Sequence, residues 1–125
     1  MRATLLALVL AACGGPALQS VKLTNSSPRP ITEIYLYPLG AANHGVSRGT
    51  MAPNATLVLQ APTGNVEVEA FSATIELENH QREHRRASSA IELTGPAEVV
   101  FFDQGAKPVL PPKALGVPFV PPVTP

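Results

Sequence analysis

Between Ala17 and Asp103 the apolar residues recur at every second position, not at every third or fourth. Side chains of an extended strand alternate between two faces, whereas a helix brings positions three and four apart together. In "VKLT" Val21 and Leu23 alternate with Lys22 and Thr24, and "ITEIYLYP" sets Thr32, Ile34 and Leu36 against Glu33, Tyr35 and Tyr37. "TLVLQ" sets Leu57 and Leu59 against Thr56, Val58 and Gln60. "NVEVEAF" sets Val66, Val68 and Ala70 against Glu67, Glu69 and Phe71. "ATIELEN" and "SAIELT" continue the pattern, and "AEVVFFD" is apolar on both faces, as a strand covered on both sides should be.

Turn chemistry separates these runs at Asn25-Ser26-Ser27-Pro28, Pro62-Thr63-Gly64-Asn65 and Thr94-Gly95-Pro96. Short strands so spaced predict an all-β fold, a small antiparallel β-sandwich of six or seven strands over residues 18–103, with helices absent or marginal. Residues 38–54 form one long connection without periodicity. Loops of that length usually serve a function or move, so Asn43, His44 and Arg48 are its candidate recognition residues.

Residues 104–125 hold seven of the fourteen prolines. Proline lacks a backbone donor, which predicts a disordered polyproline II tail that takes no part in the fold. Val109, Leu110, Phe119 and Val120 stand between the prolines and could dock a partner's groove; the alternative is an unstructured end.

The N-terminus has a different layout. Met1 to Ala12 begins with the α-amino group and Arg2, and continues through an apolar run in which Thr4 is the one polar side chain. A charged end, a short apolar run and small residues make a secretory signal. As a helix, twelve residues span ~18 Å, well short of the ~30 Å hydrocarbon core of a bilayer. Gly14-Gly15-Pro16 would break any continuation, so no spanning anchor is expected.

The stretch Leu10-Ala11-Ala12-Cys13 resembles the lipobox of bacterial lipoprotein precursors, although the signal is shorter and less basic than most of that kind. The resemblance implies cleavage after Ala12, a diacylglyceryl thioether on Cys13 and acylation of the new amino terminus. With Gly14 in place of Asp after the cysteine, it also implies an outer-membrane destination in a diderm host. The implied organisation is a signal peptide at 1–12, a lipidated tether at 13–17, the sandwich at 18–103 and the tail at 104–125. The alternative is a secreted, unanchored protein of the same fold. The order "IYLYP", "APTGNVEVEA" is similar, loosely and over residues 20–102, to small uncharacterised β-sandwich proteins of bacterial envelopes, and implies the fold alone.

Lys+Arg and Asp+Glu number 9 each, so no net field exists to collect nucleic acid. The partners expected are the membrane, through lipid on Cys13, and an envelope protein or peptidoglycan. "HQREH", His80 to His84, matches the H-x-x-E-H pattern of inverzincin metalloproteases, which would make His80 and His84 zinc ligands and Glu83 the base. The segment has almost no apolar face on which a helix could dock. If extended, it would part the histidines by about 13 Å. At a hairpin tip the two rings could instead face each other, with Cβ atoms ~5 Å apart. The expectation is a solvated hairpin end without a metal, a cofactor or catalysis. Arg82, Arg85 and Arg86 read either as a basic patch for anionic lipid or peptidoglycan, or as cross-strand partners of Glu76, Glu78 and Glu83, the reading favoured.

Overall fold

In the computed structural model, which describes residues 17–76 and 79–121, every regular element is a strand. These are β1 (Leu18–Asn25), β2 (Ile31–Pro38), β3 (Thr56–Pro62), β4 (Gly64–Ser72), β5 (Ile75–Glu76), β6 (Arg82–Glu83), β7 (Arg86–Leu93), β8 (Ala97–Asp103) and β9 (Leu115–Phe119). The expected signal segment, Cys13 and the rest of the expected tether before Ala17 lie outside the described residues, as do 122–125.

A four-stranded sheet in the order β3-β1-β8-β9 and a three-stranded sheet in the order β2-β4-β7 share one core; β5 and β6 form a small hairpin. The alternation sets the inner faces. Val21 and Leu23 on β1, Leu59 on β3, and Val99 and Phe101 on β8 meet Ile34 and Leu36 on β2 and Val66, Val68 and Ala70 on β4. Thr32 is the exception to the expected β2 face. The β2–β4 register shifts between Ile31 and Glu33, which buries Ile31 and leaves Thr32 exposed.

Two expectations are corrected. The sandwich is not all antiparallel, because β1 pairs parallel with β8, and β8 parallel with β9. Nor does the domain end at Asp103. Residues of the expected disordered tail form β9, whose Val117 and Phe119 are 1% and 0% exposed in the core. Parallel neighbours need a crossover of about a dozen residues, and residues 104–114 supply it. This crossover covers the outer side of β8. Leu110 and Phe102 crowd the position a Cβ on Gly116 would take, and Val100, 1% exposed, lies outside the inter-sheet cluster.

Proline did not exclude this strand, because β9 is an edge strand. The Val120 amide donates to Arg86 O of β7 at 3.0 Å, while Phe119 O accepts from Gln104 on the other side. Amides two apart on a strand point the same way, so the nitrogen of Pro118 faces away from β8, where no donor is required. β9 thereby stitches the four-stranded sheet to the three-stranded one along one side.

The long connection straps the other side. Ile31 and Met51 exchange both backbone bonds, at 2.8 and 3.0 Å, and the Arg48 amide donates to Ile34 O at 2.7 Å. The Ile34 amide donates to Ser47 Oγ at 3.1 Å. Arg48 Nη2 reaches Gln60 O on β3 at 3.1 Å, so the loop spans the free edges of both sheets. Covering such edges removes templates for strand addition.

The β1–β2 turn is built round Asn25, which is fully buried. Its Nδ2 donates to Arg29 O at 2.7 Å and to Ala52 O at 3.3 Å, while its Oδ1 accepts from the Ser27 amide and hydroxyl.

The pairing registers bring the strand ends of each large sheet level, so the sandwich has two poles. Ala17, Leu18 and the turns 38–41, 62–64 and 94–96 make the pole from which the tether leaves. The turn 26–30, the β5–β6 hairpin and the end of β8 make the opposite pole.

Candidate functional site

Period two puts Tyr35 and Tyr37 on the outer face of the three-stranded sheet, and the register sets them beside Glu69 and Glu67 of β4. The loop closes over this face. The His44 ring stacks on Tyr37 with centroids 3.9 Å apart and planes at 6°. Glu69 is consequently buried, with Oε2 accepting from Arg86 Nε and Oε1 lying 3.5 Å from His44 Nδ1. Tyr37 donates its hydroxyl proton to Glu67, and Tyr35 donates to Glu33 at 2.6 Å. The cluster binds its own members. Its carboxylates are engaged by tyrosine hydroxyls and Arg86, which leaves them poor candidates for general bases.

Burial, and then the hydrogen bond to Glu67, push the Tyr37 phenol well above its ordinary range; the bond to Glu33 leads the upward shift at Tyr35. A phenol raised in the folded state favours folding fully below its unfolded value near 10, and that contribution is lost as the pH climbs through the folded value. Stability to urea should therefore fall above about pH 10. Tyr37→Phe should weaken the fall, and phenolate absorbance should appear later in native than in denatured protein. A native titration coinciding with the denatured one would refute this.

The H-x-x-E-H residues are not brought together. His80 sits at φ 62° in the hairpin turn with Nδ1 3.0 Å from Glu76 Oε1. Glu83 Oε1 accepts from Arg85 Nε at 2.6 Å and lies 3.4 Å from Arg29 Nη2. His84 lines a separate shallow pocket of about 430 Å³ with Glu33, Phe71 and Ser72, and the Ser72 hydroxyl there accepts the Arg85 amide at 2.8 Å. The register Ile75↔Glu83 and Glu76↔Arg82 leaves both histidines on the same side of the hairpin, so the rings do not face each other. Among the described residues, no three His, Cys, Asp or Glu side chains are grouped to hold a metal ion.

Arg85 pairs with Glu83, two residues away along the chain, and Arg86 with Glu69 of β4, a carboxylate outside the expected set of Glu76, Glu78 and Glu83. Sequence reasoning missed Arg29. It is nearly buried at the opposite pole, and its Nε donates to Asp103 at 3.1 Å across 74 positions of chain. The buried Asn25 in the same "NSSPRP" turn was the available signal. Of the loop's candidate recognition residues, His44 and Arg48 hold the loop to the sandwich, while Asn43 Oδ1 accepts the Gly45 amide within it. Val109 is 93% exposed, whereas Phe119, offered as a docking residue, fills this domain's own core.

Comparison with protein-family models, with curated proteins and with solved structures finds no match to this chain. No helix among the described residues is long and apolar enough to cross a membrane. Cys13, the expected lipidation site, lies outside the described residues.

Proposed function

We propose that this chain is a lipid-anchored module of the bacterial cell envelope, resident at the outer membrane. Cys13 carries the acyl chains, and the β-sandwich acts as a non-catalytic binding or structural domain. The observation that carries the reading is Leu10-Ala11-Ala12-Cys13 directly behind a short apolar run. The folded domain begins at Leu18, five residues beyond that cysteine. Cleavage after Ala12 would therefore leave every described strand intact. A thiol is the side chain that forms the required thioether, and two or three acyl chains hold stably where one holds marginally. The non-catalytic part of the reading draws on the polar clusters, whose carboxylates and histidines are engaged with one another. An envelope protein or peptidoglycan would be met on surfaces away from the tether.

Intact mass of protein purified from the membrane fraction tests the anchor. A chain beginning at Cys13 with diacylglyceryl and amide-linked acyl mass is expected. A bare thiol, or a chain that begins elsewhere, would leave the secreted, unanchored reading in its place.

A further inference from the structure

We infer that the tether pole is itself a bilayer-contact surface, with Leu18, Leu39 and the turns at 62–65 and 94–96 resting on the lipid so that the sandwich stands on end. The inference builds on the lipid anchor proposed above and concerns which part of the domain meets the membrane.

The first argument is reach. From Cys13 to Leu18 the chain can extend no more than roughly 18 Å, at ~3.3–3.6 Å per residue. The departure point is also fixed, because Ala17 O accepts the Thr63 amide at 3.1 Å, which ties the tether's end to the β3–β4 turn. A lipid on Cys13 therefore draws down this pole and not a flank of the sandwich.

The second argument is chemistry. Leu18 and Leu39 are 62% and 50% exposed at this pole, an apolar pair without cover from the sandwich. Residues 17–18, 38–43, 62–65 and 94–96 contain no ionisable side chain. Pro38, Pro62 and Pro96 are exposed there and have no N–H to strip of water. Several remaining amides are satisfied internally: Leu39 N donates to Asn65 O and Ala41 N to Pro38 O, each at 3.0 Å. The last bond closes a turn with Gly40 at φ 83°, the left-handed position that glycine accepts at its third residue. Moving the turn tips themselves out of water thus desolvates no ionised side chain of their own.

Glu92, paired with Asn65, and Lys113, which lines a surface pocket with Pro96, flank these turns, where lipid headgroups can meet their charges. The opposite pole contrasts throughout, carrying Arg29, Glu83, Arg85 and Asp103. Beyond this largely buried cluster the hairpin exposes Glu76 and Arg82, so a membrane would meet charge there and apolar side chains at the tether.

The chain has no tryptophan, so a single indole reports its own surroundings. Protein beginning at Cys13 is coupled through that sole cysteine to maleimide-bearing phosphatidylethanolamine/phosphatidylglycerol vesicles, as Leu39→Trp, Leu18→Trp and, at the opposite pole, Gln81→Trp. Blue-shifted emission and quenching by brominated lipid are expected for Leu39→Trp and Leu18→Trp, with neither for Gln81→Trp. Equal quenching at both poles, or none at positions 18 and 39, would overturn the inference. The maleimide supplies the anchor chemically. A bare Cys13 in cells would therefore defeat the envelope reading without touching this result, and the converse holds as well.

Discussion

A chain cut after Asp103 is expected to lose its cooperative unfolding transition, although every residue of the expected 18–103 sandwich is still present. The cut removes Val117 and Phe119, two wholly buried side chains of the shared core. It also removes the crossover above Val100 and the edge partner of β8. Phe119 packs against Phe101 with ring centroids 5.9 Å apart, so the loss opens the core along the side that β9 closes. Truncating one buried Phe to Ala costs about 3–5 kcal/mol, set against a total of about 5–15 kcal/mol for a whole domain. Phe119→Ala alone should lower the urea midpoint steeply, while Val109→Ser, on the exposed crossover, should leave it unchanged. A sharp, wild-type-like transition in the 1–103 chain would show that β9 only decorates the fold.

Cys13→Ala should move the protein from the membrane pellet to the soluble fraction. Each buried methylene of an acyl chain contributes roughly 0.8 kcal/mol, so removing two or three chains removes essentially all the binding. The bilayer contact inferred for Leu18 and Leu39 is too small to substitute. The urea midpoint of the released domain should stay at the parent value, because Cys13 precedes the first strand residue. Fractionation by ultracentrifugation after an alkaline wash checks both arms. Persistence of Cys13→Ala in the pellet would point to a protein receptor and away from a lipid.

The inner faces were legible in the sequence because burial imposes period two. Val21, Leu23, Ile34, Leu36, Leu59, Val66, Val68 and Ala70 all point where the alternation puts them. "AEVVFFD" was legible as doubly covered, since Val99 faces the core while Val100 is buried outside it. Strand direction was not legible: a parallel and an antiparallel neighbour bury the same alternate residues. β9 was missed because "LGVPF" was read through its one proline and its proline-rich neighbours, when the decisive fact is which side of the strand lacks a donor. Thr32 was misplaced by a register shift that the sequence does not signal. The Arg29–Asp103 pair escaped because its members are brought together only by the β1–β8 pairing. The lipobox reading at Cys13 stands apart, because it rests on a covalent motif that needs no fold and lies outside the described residues.

The closing strand also sets a timetable for biogenesis. At ~5–20 residues per second of synthesis, Phe119 leaves the ribosome on the order of a second after Asp103. Until then the core has an open flank, and the β1–β8 ladder must join segments far apart in the chain, a slow class of contact. The nascent polypeptide is thus kept from locking shut early, which would suit the export through a translocation channel that the lipoprotein proposal requires.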